Sequence, residues 1–162
     1  MIKKAITQDA IKIQSHRHDY QVNFVSDCAD KIAHYNALGC IFVIDDQLRY
    51  FKSDLFDIIR NGNVIALPAS EKTKSLEKLA DLIDQLSYFG ASRSLPIVVI
   101  GGGTIQDIVS FSASILKRGI DWVFFPTTFP AQCDSCIGSK TSINVGNRKN
   151  LLGTFFPPID VF

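Results

Sequence analysis

Three consecutive glycines, Gly101-Gly102-Gly103, follow the apolar run Pro96-Ile97-Val98-Val99-Ile100 and lead into a helical pattern that opens at Thr104. Glycines at such a junction let the backbone turn sharply and let a phosphate approach the amide groups at a helix N-terminus. One glycine suffices for a plain strand-to-helix turn, so three in a row favour a ligand loop. The complete GxGxxG dinucleotide fingerprint is absent, because Gln106 stands where its third glycine would be. Asp107 carries two readings. Thr104-Ile105-Gln106-Asp107 has capping-box spacing, and a carboxylate in the first turn favours the helix dipole. The same carboxylate could accept hydrogen bonds from ribose or substrate hydroxyls.

A second candidate loop follows the next apolar run, where Trp122-Val123-Phe124-Phe125 gives way to Pro126-Thr127-Thr128. Two adjacent hydroxyls can cap a helix or hold a ligand, and capping is the commoner use. Between residues 119 and 147 the charged residues are Asp121, Asp134 and Lys140. A lone lysine among Gly138, Ser139, Thr141 and Ser142 suits a compact cation meeting a phosphate or carboxylate, although a solvated loop lysine is more common. Arg148, Lys149 and Asn150 add donors nearby in sequence. Together they point to an anion site built on loops.

Other chemistry is disfavoured. Cys133-Asp134-Ser135-Cys136 has CxxC spacing, but no second CxxC and no nearby histidine completes a zinc site. Cys28 and Cys40 lie in apolar contexts and read as small buried hydrophobes. His16, His18 and His34 all lie early in the chain, and His16 and His18 read as an exposed polar pair. No metal site is expected from this chain alone.

The elements that must position these residues are legible. Residues 9 to 25 read as a hairpin, with Ile11 and Ile13 before a His18-Asp19 turn and Tyr20, Val22 and Phe24 after it. A short helix fits 27 to 36. Continuous apolar runs at 40–44, 64–67, 96–100 and 122–125 are typical of buried parallel strands. Leu76, Leu79, Ala80, Ile83 and Leu86 recur at helical spacing, as do Ile105, Ile108, Val109, Ser112, Ile115 and Leu116. Strands alternating with helices predict an α/β fold, a Rossmann-like parallel sheet with helices on both faces and an N-terminal β-hairpin. Residues 1–162 form a single domain in this reading. The end, Ile159-Asp160-Val161-Phe162, resembles the opening of another strand, and a missing C-terminal half is expected.

Composition bounds the function classes. The chain has 162 residues, 46% hydrophobic and 20% charged, with a formal net charge of +1. That is ordinary for a globular protein with one real core, and it offers no global attraction to nucleic acid or anionic membrane. No apolar run reaches the roughly 18 residues of a membrane span. Lys3 and Lys4 precede a stretch too short and polar for a signal-peptide core. A cytoplasmic location is expected.

The motif block resembles a known family. Gly101-Gly102-Gly103 with Asp107, then Arg118-Gly119-Ile120, Pro126-Thr127-Thr128, Ala131-Gln132, Asp134-Ser135, Gly138, Lys140-Thr141, Asn144, Lys149-Asn150 and Gly153 are similar in order and spacing to 3-dehydroquinate synthase. The resemblance is strongest from 97 to 162. Asp45, after the first parallel strand, and Glu71 with Lys74, before the long helix, extend it upstream.

The resemblance implies an NAD-dependent, metal-dependent cyclase of the shikimate pathway, which converts the sugar-acid phosphate DAHP to dehydroquinate. In such enzymes bound NAD transiently oxidises a hydroxyl, phosphate is eliminated, hydride returns, and the opened enol closes by an aldol step. By position, Asp45, Glu71 and Lys74 would hold the adenosine side of NAD, and Gly102, Gly103 and Thr104 the pyrophosphate. Asp107, Thr127, Thr128, Ser135 and Lys149 would hold the rest of the cofactor. Asp134, Lys140 and Asn150 would contact substrate, and Arg118 would reach the neighbouring subunit's phosphate in a homodimer. The family's metal ligands, a glutamate and two histidines, fall after the matched region, and no histidine follows His34. A divalent zinc or cobalt ion is therefore expected only with the missing half, and this chain alone is expected to be inactive.

The sequence departs from the family at Gln47, at Phe129-Pro130 where two leucines are usual, and at Ser139 where glycine is common. Alternatives are a related sugar phosphate cyclase of the 2-deoxy-scyllo-inosose synthase type and a non-catalytic NAD-binding fragment. An iron-type alcohol dehydrogenase relative would share the glycines and threonines but is disfavoured by the segments from Asp134 to Lys140 and at Lys149-Asn150.

Overall fold

The computed structural model describes residues 10–60 and 62–162. The readings made on Lys3, Lys4 and the polar stretch after them, and on the first residue of the hairpin, lie outside the described residues. The hairpin is formed by β1 (Ala10–Ile13) and β2 (Tyr20–Asn23), paired antiparallel with Ile11 opposite Val22. Four apolar runs become parallel strands: β3 (Ile41–Asp45), β4 (Asn63–Leu67), β5 (Ile97–Gly101) and β6 (Trp122–Pro126). Helices α4 (Leu76–Tyr88) and α5 (Gly103–Ile115) occupy the segments whose periodicity predicts them, and α1 (Ala29–Ala37) lies close to the short helix expected over 27 to 36.

Two short helices, α2 (Leu48–Phe51) and α3 (Ser53–Ile59), fill the β3–β4 connection, for which the sequence reading offered no element. After β6 come α6 (Phe129–Cys133) and a two-stranded antiparallel ribbon, β7 (Ile143–Val145) and β8 (Arg148–Leu152). The Gly-, Ser- and Asn-rich stretch read as loops is thus partly a hairpin, turned at Gly146 with φ +57°. The last strand, β9 (Asp160–Val161), enters the main sheet. Sheet order is β1-β2-β9-β6-β5-β3-β4, parallel except for the hairpin at its edge.

Strand periodicity sorts the core into two layers. Ile41, Val43, Ile97, Val99, Trp122 and Phe124 face α4 and α5, meeting Leu79, Leu82, Ile105 and Ile108. Phe42, Ile44, Val98, Ile100, Val123 and Phe125 face the other way, onto Ile32 of α1 and Ile59 of α3. Burial on both faces explains why these strands read as unbroken apolar runs rather than alternating ones. Each large side chain buried here contributes on the order of 1.5–3 kcal/mol of transfer free energy. Cys40 is buried as expected, but Cys28 is only half-buried because it sits at the open N-terminal end of α1.

Candidate functional site

The sheet register brings the carboxyl ends of three strands level. Ile44 pairs with Ile100, so Asp45 lies alongside Gly101, and Gly101 pairs with Pro126. The Thr127 amide donates to the Gly101 carbonyl at 3.0 Å, which draws the threonine loop against the glycine loop. Gly102 is the N-cap of α5, and a Cβ on it would stand 2.9 Å from Thr128 Cγ2 and 3.1 Å from Thr128 Oγ1. Any larger residue would therefore collide with the threonine. A Cβ on Gly103 would face Ser135 Oγ at 3.8 Å. Ser135 Oγ donates to Gln106 Oε1 at 2.6 Å, while Gln106 Nε2 donates to the Ser135 carbonyl at 2.9 Å. This reciprocal pair fixes both the serine and the first turn of α5. The result is a narrow backbone cradle at a helix N-terminus, rimmed by hydroxyls and suited to a phosphate or pyrophosphate.

Neither capping expectation holds. The N-cap of α5 is Gly102, without a side-chain cap bond, so Thr104 and Asp107 lie inside the helix. Thr128 does occupy the N-cap position of α6, but its hydroxyl makes no capping bond.

Asp107 looks instead toward Lys74. Lys74 Nζ lies 2.6 Å from Asp107 Oδ2 and donates to Asn150 Oδ1 at 2.8 Å. The lysine is 5% accessible, and its backbone sits just past a 3-10 turn, Glu71–Thr73. Ser142 Oγ lies 2.9 Å from Asn150 Oδ1 and 3.2 Å from Asp107 Oδ2, so its single proton serves one of them at a time. Burial pushes the Asp107 carboxyl above its ordinary value, outweighing the pull of the adjacent ammonium. Asn144 completes the second cluster: it donates from Nδ2 to Glu71 Oε1 at 2.8 Å and accepts from the Asn150 amide at 2.8 Å. The hydrogen bond from Asn144 Nδ2 holds the Glu71 carboxyl below its ordinary value, helped by Lys74 and Lys149. Asn150 itself has φ +51°, in the left-handed region that asparagine adopts more readily than other residues with a side chain.

Two groups of candidate residues thus assemble, joined where Gln106 and Asp107 adjoin on α5. Asp45, Gly102, Gly103, Thr127, Thr128 and Ser135 form one; Glu71, Lys74, Asp107 and Asn150 form the other. Asp45 is buried and accepts the Gln47 amide at 3.0 Å, so Gln47 serves a turn here. Lys149 is exposed on β8, Asp134 is exposed at the end of α6, and Lys140 is exposed where it bridges to Phe155. Arg118 stands apart at the far end of α5, at φ +64° in a turn before the amino end of β6. Sequence reasoning assigned no role to Ser142 and used Gln106 only as a missing glycine; Asn144 was noted as part of the motif without a task.

A cleft of about 710 Å³ opens beside this site on the α1 and α3 side, lined by Phe24, Ile32, Leu55, Ile100 and Phe125. Of the residues assigned from the sequence to cofactor or substrate it takes in Thr127 alone. Among the described residues no three His, Cys, Asp or Glu side chains converge as a metal ion would require, and no helix is long and apolar enough to cross a membrane. Cys133 is exposed and Cys136 buried, both as free thiols.

Comparison with known proteins decides the family. The sequence profile of the 3-dehydroquinate synthase N-terminal domain matches residues 64–162. The chain belongs to the 3-dehydroquinate synthase family. A 3-dehydroquinate synthase of Zymomonas mobilis is 44% identical over 115 residues, 71% of this chain and 30% of that protein. One from Dictyoglomus thermophilum is 43% identical over 119 residues, 72% of this chain and 33% of that protein. The chain therefore matches about a third of the length of these curated relatives.

Among solved structures, 2-epi-5-epi-valiolone synthase from Streptomyces hygroscopicus, with NAD+ and Zn2+ bound, superposes with a TM-score of 0.79 at 28% identity. That match covers 91% of this chain and 43% of the synthase. A 2-deoxy-scyllo-inosose synthase complexed with carbaglucose-6-phosphate, NAD+ and Co2+ gives 0.78 at 23% identity, over 94% of this chain and 45% of its own, a likeness of fold. The expected α/β architecture, with a largely parallel sheet between helices, is the one these cyclases share.

Proposed function

We propose that this chain is the NAD-binding part of a 3-dehydroquinate synthase, a cyclase that eliminates phosphate from DAHP in the shikimate pathway. The observation that carries the reading is the cradle at Gly102, where the absent Cβ leaves backbone amides open beside Thr128. Its donors, backbone N–H groups and hydroxyls, suit the pyrophosphate of a dinucleotide. NAD, when bound, accepts and returns a hydride. The chain's own residues orient it: Gly102, Gly103 and Thr104 at the pyrophosphate, Asp45, Glu71 and Lys74 toward the adenosine, and Asp107, Thr127, Thr128, Ser135 and Lys149 around the remainder.

Asp134, Lys140 and Asn150 are assigned to the sugar-acid phosphate, with the exposed Lys140 ammonium meeting its anionic groups. In a homodimer Arg118, held away from the other residues, is assigned to the partner's phosphate. The relatives at 43–44% identity are 3-dehydroquinate synthases, which favours that substrate over those of the more distant cyclases. No step is assigned to a metal ion among these residues, whose side chains gather no ligand set. The test is calorimetric titration of NAD into the chain and into Gly102→Val. Saturable binding in the first and none in the second is expected; equal affinity in both would overturn the reading.

A further inference from the structure

We propose that Asn144 is a positioning residue that couples the cofactor side of the site to the substrate side; the inference rests on the NAD reading above. Its side-chain orientation is fixed by the chemistry of its neighbours. The Asn150 backbone amide can only donate, so the atom facing it is Oδ1, and the ionised Glu71 carboxylate can only accept, so the atom facing it is Nδ2. Nδ2 also lies 3.3 Å from the Glu71 carbonyl. The backbone joins in, because the Asn144 amide donates to the Lys74 carbonyl at 2.7 Å and Ser75 and Asn144 form a parallel bridge. One side chain thus ties the 71–75 segment, on the sheet side, to the β7–β8 ribbon.

Both ends of this link are groups that need holding. Glu71 sits on a three-residue 3-10 turn whose own cap has no side-chain bond. Asn150 sits at positive φ in an exposed strand, and its Oδ1 is the acceptor for the buried Lys74 ammonium. The bond from the Asn150 amide to Asn144 Oδ1 is what holds this left-handed residue with its carboxamide on Lys74, and its loss loosens that placement. Among the described residues the side-chain hydrogen bonds of Asn144 go to Glu71 and Asn150 and not to the glycine cradle or Lys140, so its effect passes through those two residues.

The two bonds can be cut separately. Asn144→Asp keeps an acceptor for the Asn150 amide but cannot donate to Glu71, and it sets a second carboxylate against it. Asn144→Ala removes both bonds. The experiment combines NAD titration calorimetry with residue-resolved amide hydrogen exchange on the 162-residue chain and both variants. Loss of one hydrogen bond to a charged group corresponds to about tenfold weaker binding. NAD affinity is expected to fall about tenfold in both variants, while protection of the Asn150 amide is lost in Asn144→Ala and retained in Asn144→Asp. Unchanged NAD affinity in a folded Asn144→Asp variant overturns the coupling while leaving the NAD reading intact. Absence of NAD binding to the unsubstituted chain overturns both. If Asn144→Ala fails to fold, the aspartate variant alone decides.

Discussion

Replacing Lys74 with methionine removes a charge with little change in volume, which isolates the electrostatics of the second cluster. The lysine side chain is 6% accessible and its Asp107 partner 26%, with 2.6 Å between them. Without the ammonium, Asp107 Oδ2 and Asn150 Oδ1 compete for the single proton of Ser142 Oγ. A fully buried pair broken in this way costs about 3–5 kcal/mol. Water still reaches about a quarter of Asp107, so a cost of about 2 kcal/mol is expected. For a domain of this size that is a fall in Tm of roughly 4–8 °C. Adding Asp107→Asn to Lys74→Met removes the stranded carboxylate and should recover more than half of the loss. Differential scanning calorimetry of the two single variants, the double variant and the parent closes the cycle. A Tm for Lys74→Met within about 1 °C of the parent, or strictly additive losses, would refute the reasoning.

Gly153→Ala should destabilise the chain by roughly 2 kcal/mol or more, because its Cβ would run into the Thr141 backbone carbonyl rather than into a movable side chain; a denaturation midpoint equal to the parent's would contradict this. Asp160→Asn should raise stability at neutral pH. Burial lifts the Asp160 carboxyl above its ordinary value of 3.8, outweighing the Asn23 amide and Lys31. A raised carboxyl makes the folded state bind the proton more tightly than the unfolded chain, so this group costs stability as pH rises from 3.8 through its folded value and leaves the penalty in place above it. Melting curves across about pH 4 to 7 should be flatter in the variant, and a steeper dependence there would contradict the assignment.

The parallel sheet was legible because β3, β5 and β6 are buried on both faces, which leaves continuous apolar runs in the sequence. The connection from β3 to β4 was not. Leu55, Ile58 and Ile59 do carry helical spacing, but Lys52, at φ −141°, breaks the segment into pieces of four and seven residues, too short to stand out. The β7–β8 ribbon was hidden by its composition: β8 is exposed along its whole length, so no apolar alternation marks it. Within the site, the meeting of the glycine and threonine loops followed from both lying at strand carboxyl ends. The Lys74–Asp107 pair did not, since its partners are 33 residues apart and meet only because α5 packs beside the segment that follows β4. Local rules left Asp107 open between its own helix and a ligand hydroxyl, and neither reading contains the tertiary ion pair with Lys74.

The central claim, that the glycine cradle receives the pyrophosphate of NAD, is tested most directly by residue-resolved NMR of the isotope-labelled chain titrated with NAD. Saturable shifts centred on the amides of Gly101, Gly102, Gly103, Thr127 and Thr128, extending to Asp107 and Ser135, are expected. Shifts confined to the apolar cleft around Phe24, Leu55 and Phe125, or no shifts at millimolar NAD, would contradict it.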